Sequence, residues 1–245
     1  MTTWLYSAFG NEHLLMPYFL RHYAPQVERL IMFDGGATDN SADLIRACPN
    51  ATVVEADEPQ FDHGDSAAGA DFASWVYRGA RGHADWVIWV CVDEFLYAKN
   101  IELRDLLTFY RYRGIRVVRA LGYTMLADEF PTGDAPLTDL VRLGVRDPLY
   151  NKPCVFDPAL DVELAPGGHS LKATPDCEIY QGELQLLHYR YFGEEYLRAR
   201  NAYNHSLKSK NEVSSGHGWH TRPDNAGMYS AEWYKQQRAI ATVVT

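Results

Sequence analysis

"LIMFDGGATDNSADLI", residues Leu30–Ile45, contains one complete change of structure. The apolar run Leu30–Phe33 suits a buried strand, and Asp34 stands where that strand ends. Gly35–Gly36 allow a tight turn, and Thr38, Asp39, Asn40 and Ser41 offer caps for the helix-like segment that follows. Strand, glycine turn and capped helix make one βα unit, and such units in series build a parallel sheet with right-handed crossovers. At the carboxyl end of a strand, Asp34 can accept hydrogen bonds from a nucleobase edge or a ribose. It can equally well cap its own turn, and Asp39 the helix. The residues alone leave both readings open.

The same alternation extends to either side. "TWLYSAF" (3–9) reads as a strand, and "HLLMPYFLRHYA" (13–24) as a helix or two short ones broken near Pro17. "VERLIMF" (27–33) and "ATVVEA" (51–56) read as strands two and three, and "SAAGADFASWVYRGARG" (66–82) has helical spacing at Phe72, Val76 and Ala80. "WVIWVCV" (86–92) is apolar on both faces, as a central parallel strand requires. The fold class expected is therefore α/β, a mostly parallel central sheet flanked by helices, with ligands at the carboxyl ends of its strands.

After residue 100 the pattern loosens. A helix (101–114), a strand (115–125), an acidic loop (126–139) and short strands with turns through 150–192 are expected. They form a smaller β region, followed by a C-terminal helix candidate (193–211) and the loop "EVSSGHGWHTRPDNAGM". No linker-like shift in composition appears. The expectation is one domain over 1–245, in two halves, 1–100 and 101–245.

Composition narrows the function classes. Of 245 residues 23 are basic and 32 acidic, a formal charge of −9, which argues against general affinity for nucleic acid or anionic membranes. No apolar run approaches the roughly 20 residues of a membrane-spanning helix. The first residues lack a basic segment followed by an apolar one, so no signal peptide is expected. Cys48, Cys91, Cys154 and Cys177 are scattered without a CxxC pair, which fits a reduced cytoplasmic enzyme.

The second decisive stretch is "VIWVCVDEFLYAKN", Val87–Asn100, where a buried strand runs into Asp93 and Glu94. Carboxylates at such a rim suit Mg²⁺ or Mn²⁺ with room left for a diphosphate. In extended chain Glu94 points away from Asp93, so the two acids need not serve one ion. The alternative is a polar strand end whose acids reach solvent.

Together, "GNEHLLMPYFLRHYAPQVERLIMFDGGATDNSADLI" and "DWVIWVCVDEFLY" resemble the family 2-type glycosyltransferases of the GT-A fold. The closest likeness is to a bacterial subgroup with "NE…LP", "DxGSTD" and "DxDEF" segments. "YNKPCVFDP", "PGGHS" and "LLHYRYFGEEYLRAR" are similar to that subgroup's second half, so the resemblance covers most of the chain. It implies a metal-assisted transfer from a nucleotide-diphosphate-sugar donor to a saccharide or other hydroxyl acceptor, with 1–100 as the nucleotide-sugar-binding half and 101–245 as the acceptor-side half. By the same resemblance, Asn11 and Glu12 contact the donor nucleotide, Asp34 meets its base or ribose, and Asp93 is the final, metal-binding acid of the DxD motif. His188 completes the metal or diphosphate site, although on residue grounds alone it reads equally as a core histidine. Cys91 replaces the first DxD acid on the donor side, a departure that weakens donor affinity or marks a degenerate relative. Glu94, near the anomeric centre, would orient the donor sugar or assist catalysis.

An inverting transfer also needs a base near the acceptor hydroxyl. Asp128, Glu129 and Asp134 offer carboxylates in the acidic loop, or simply decorate its surface. His169, after two glycines, lines the acceptor pocket or a turn. His217, Trp219 and His220 suggest a lid over the donor, or a tail packed on the core. The rivals are a nucleotidyltransferase, disfavoured because "FGNEHLL" has no arginine or lysine, and a sugar- or nucleotide-binding protein without catalysis.

Overall fold

The computed structural model describes residues 1–55, 66–206 and 231–245. Four strands form its parallel part: β1 (Thr3–Phe9), β2 (Arg29–Asp34), β3 (Ala51–Glu55) and β4 (Trp86–Trp89). They lie in the order β3-β2-β1-β4, all neighbours parallel. Alternation along each strand sends one set of side chains to either face. Leu5, Phe9, Leu30, Met32, Trp86 and Ile88 enter one core with helices α1 (Met16–Tyr23), α2 (Ser41–Arg46) and α4 (Leu103–Tyr112). Tyr6, Phe33 and Val87 enter a second core with α3 (Ser66–Val76) and the antiparallel pair β9 (Asp161–Leu164) and β10 (Leu171–Thr174). The α/β class and the helix-flanked central sheet stand as expected.

Beyond β4 the sheet turns mixed. It continues through β8 (Val155–Phe156), β6 (Val117–Ala127), β7 (Leu143–Arg146) and β12 (Thr242–Val243), each antiparallel to its neighbour. β11 (Ile179–Phe192) runs parallel to β6 and antiparallel to β5 (Glu94–Tyr97). Among the described residues the remaining α-helices are α5 (Leu137–Leu140), α6 (Gly193–Ser206) and α7 (Ala231–Ile240). Among the described residues no helix is long and apolar enough to cross a membrane.

One open expectation is settled and one needs correction. Pro17 does not break the first helix: it sits in the first turn of α1, where its missing N–H has no helical partner to lose. The strand expected over 86–92 stops at Trp89. Cys91–Glu94 form a tight turn closed by the Glu94 amide donating to the Cys91 carbonyl at 3.0 Å, and the chain re-enters the sheet as β5. The proposed lid residues His217, Trp219 and His220 lie outside the described residues.

Candidate functional site

β1 leads to β2 and β3 on one side of the sheet, while β4 pairs on the other side of β1. The order reverses there, and a crevice opens at the carboxyl ends of β1 and β4, the position where α/β sheets take their ligands. The loop after β1 brings Asn11 and Glu12 to this crevice, and the turn after β4 brings Cys91, Asp93 and Glu94.

Asp93 and Glu94 are both buried, and the turn sends them to different partners. Asp93 Oδ2 accepts from Arg200 Nη2 at 3.0 Å and lies 3.4 Å from His188 Nε2. Arg200, on α6, also donates to both oxygens of Glu12, at 2.6 and 2.8 Å. Burial alone would raise the Asp93 pKa; the charges of His188 and Arg200 outweigh it and hold the carboxyl well below the usual range. Glu12 answers the other way. Its burial exceeds the pull of Arg200, Asp93 repels it, and its pKa rises. Arg200, between two carboxylates, is held as a cation despite its burial.

Glu94 belongs to a second group. Its carboxylate accepts from Lys152 Nζ at 2.5 Å and from the Cys91 amide at 3.0 Å. Burial disfavours the Lys152 ammonium, but the adjacent Glu94 overrides it and pushes the pKa up, so Lys152 is held as a cation. Lys152 lies between β8 and a 3-10 turn at 148–150, and its carbonyl accepts from the Ala120 amide of β6. The ring of Tyr150, on that turn, stacks on His188 at 3.9 Å. The turn packs so closely on β6 that a Cβ at Gly122 would collide with the backbone of Tyr150 and Asp147. Glycine there lets Tyr150 reach His188.

Three side chains of the turn, Cys91, Asp93 and Glu94, form a group that could hold a divalent cation. Carboxylate and imidazole atoms of Asp93 and His188 converge, and ligand atoms of Cys91, Asp93 and Glu94 lie within 4.8 Å of one another. His188 Nδ1 is buried with no hydrogen-bond partner among the described residues, so the stacked Tyr150 ring, and not a hydrogen-bond acceptor behind the imidazole, orients it. The competing cation at Asp93 is Arg200.

The other expected residues fall in varied places. Asn11 clasps two loops: its Oδ1 accepts from the Thr38 amide at 2.7 Å, and its own amide donates to Tyr203 on α6 at 3.0 Å. Asp34 Oδ1 accepts from the Gly36 and Ala37 amides at 3.0 and 2.8 Å, so it caps its own turn. Asp39 likewise binds the Ser41 and His13 amides. Cys91 is exposed at the crevice wall. Asp128 and Glu129 are exposed beyond the end of β6 and line neither the cavity at Cys91 and Glu94 nor the one at Glu12 and Arg200. Tyr234 donates to Asp128 at 2.7 Å with Arg238 alongside, and both hold its pKa down. His169 is exposed, with Nδ1 2.8 Å from the Leu149 carbonyl and its ring near Tyr150.

Lys152 and Arg200 lay unassigned within "YNKPCVFDP" and "LLHYRYFGEEYLRAR". A lone lysine beside a short apolar strand was a usable signal for the first. Arg200 had none, because its partner Glu12 is 188 residues away.

No family model matches the chain, and no curated protein matches it. Among solved structures, glucosyl-3-phosphoglycerate synthase from Mycobacterium tuberculosis, in complex with Mn²⁺, UDP and phosphoglyceric acid, matches at 17% identity and a TM-score of 0.33. That match covers 49% of this chain and 43% of the other, so this chain spans less than half of that protein. Mannosyl-3-phosphoglycerate synthase from Rubrobacter xylanophilus matches at 14% identity, 65% and 54% coverage, and a TM-score of 0.35. 4-Diphosphocytidyl-2C-methyl-D-erythritol synthase from Anaerococcus prevotii matches at 13% identity, 64% and 70% coverage, and a TM-score of 0.36. Likenesses this loose leave the functional reading to the site's own geometry.

Proposed function

We propose that the protein is a cytoplasmic glycosyltransferase of GT-A type, moving a sugar from a nucleotide-diphosphate donor to a saccharide or other hydroxyl acceptor. One observation carries this reading: the Cys91–Glu94 turn sets Asp93 and Glu94 at the sheet's switch point, each against a buried cation. Asp93 and His188 would hold Mg²⁺ or Mn²⁺, and such an ion, when bound, screens the charge of a departing nucleoside diphosphate. Arg200 would face the same phosphates, held in place by Glu12. Glu94, fixed by Lys152 and the Cys91 amide, orients the donor sugar. Asp34 is engaged in its turn, so its part at the base or ribose would be through its free lone pairs. Asp128 is already bound by Tyr234 and Arg238, which leaves Glu129 the better acceptor-side base, with His169 beside the acceptor.

Nucleotidyl transfer is the second reading, and Arg200 is what favours it. The loop after β1 has no arginine or lysine of its own, but the fold delivers Arg200 to Glu12 in that loop. Product analysis separates the two. Incubation with nucleotide sugars and candidate acceptors releases a nucleoside diphosphate in glycosyl transfer. Incubation with nucleoside triphosphates and sugar phosphates releases pyrophosphate in nucleotidyl transfer. Neither product, from folded protein over a broad panel, contradicts both.

A further inference from the structure

Arg200 meets two carboxylates, and it does not meet them equally. Toward Glu12 its planar fork makes two parallel bonds, Nη1 to Oε2 at 2.6 Å and Nη2 to Oε1 at 2.8 Å. Toward Asp93 it makes one, at 3.0 Å, from the same Nη2 that already serves Glu12. The bidentate pair is the stronger of the two. Asp93 Oδ2, which accepts the single bond, is also the oxygen 3.4 Å from His188 Nε2. A divalent ion held by Asp93 and His188 therefore needs an oxygen that Arg200 already uses. The Arg200 and Asp93 side chains are only 11% and 8% exposed, so little water screens a dication from the guanidinium.

We propose that Arg200 and the divalent ion compete for Asp93, so that the ion, on binding, displaces Arg200 from Asp93 and leaves it on Glu12 alone. The inference rests on the transferase reading, which puts the ion at Asp93 and His188. The guanidinium has room to pivot. Glu12 and Arg200 line a cavity of about 240 Å³ between the loop after β1 and α6. Arg200 Nε has no hydrogen-bond partner among the described residues, so turning the group breaks no bond there. α6 itself stays tied to the loop, because Tyr203 accepts from the Asn11 amide at 3.0 Å. The exchange gives the site an order of binding. While Arg200 neutralises Asp93, neither charge is free for a ligand. Once the ion takes Asp93, the Nη2 that served it is released toward a diphosphate. Metal first and nucleotide second is the expected sequence.

The test is Mn²⁺ binding to the full chain, read from the loss of the free-ion signal in electron paramagnetic resonance. Arg200→Gln removes the competing charge and keeps a donor for Glu12, and it should bind Mn²⁺ about tenfold more tightly than the wild type. Glu12→Gln leaves Asp93 as the only carboxylate on Arg200, and should bind more weakly. The double variant should return to the affinity of Arg200→Gln, because without Arg200 the charge of Glu12 has nothing to hold away from Asp93. A Glu12 that ligated the ion itself would leave the double variant weak. Guanidinium NMR of the wild type under Mg²⁺ gives a reading that does not depend on any variant folding: the Arg200 signals should change as the ion binds. Equal or weaker Mn²⁺ binding by folded Arg200→Gln, a double variant that stays weak, or Arg200 signals indifferent to bound Mg²⁺ would each overturn the competition while leaving the metal site standing. No Mn²⁺ binding by the wild type or any variant would overturn the metal reading as well.

Discussion

Cys91 stands where the resembling enzymes carry an acid, and its surroundings decide what a carboxylate there would do. Its amide already binds Glu94, and its side chain shares a 4.8 Å cluster with Asp93 and Glu94. Cys91→Asp adds a third negative charge to a turn balanced by Arg200 and Lys152. We expect the metal-free protein to lose on the order of 1 kcal/mol of stability. The Mn²⁺-induced rise in melting temperature should grow, because the ion relieves the new repulsion. Melting curves with and without Mn²⁺ check this, and an unchanged metal response would remove Cys91 from the metal's neighbourhood. Arg200→Ala leaves Glu12 and Asp93 buried without their guanidinium, a loss of about 3–5 kcal/mol for a buried pair broken on one side. Denaturant unfolding measures it, and a loss below 1 kcal/mol would show that the bridge does not hold α6 to the β1 loop.

The elements divide between what pattern reveals and what only packing decides. β1 to β4 and their helices were legible because apolar alternation, glycine turns and caps are local signals. The end of β4 was not. Val90 and Val92 are as apolar as the strand before them, and only the hydrogen bonds of the 91–94 turn separate β4 from β5. Gly122 is a case where packing decides: Gly122→Ala should push the 148–150 turn off β6, costing about 1–3 kcal/mol and moving Tyr150 from His188. Denaturant melts give the first number, and the His188 ring proton shifts report the second.

Asp157 anchors another joint. It accepts from Arg111 Nη1 of α4 at 2.9 Å and from Arg116 Nε at 3.0 Å. Burial opposes the carboxylate, but the Ala159 amide and both arginines prevail, so its pKa is lowered. A depressed folded pKa gives stability that is present above the unfolded value near 4 and lost as pH falls through the folded one. Asp157→Asn should therefore cost about 1–3 kcal/mol at pH 7, and progressively less below pH 4. Urea unfolding across that range decides, and a cost independent of pH would point to packing instead.

At the scale of the molecule, the site joins segments that no local motif connects. Asp93 and Glu94 were visible as acids at a strand's mouth, and His188 by resemblance. Their counter-charges were not visible, because Arg200 comes from α6 and Lys152 from beyond β6. Sequence distance hid those pairings; the sheet's order created them. Asp34 was read correctly as a strand-end acid, but the structure engages it in turn capping, the alternative that residue chemistry had left open. The central claim is that Asp93 anchors a metal-dependent nucleotide site. Its most direct test is calorimetric titration of UDP, GDP and their sugars into wild-type protein and Asp93→Ala, with and without Mn²⁺. The account predicts Mn²⁺-dependent binding of at least one nucleotide by the wild type and its loss in the folded variant. Binding of nucleotide and metal by Asp93→Ala at wild-type affinity would contradict it.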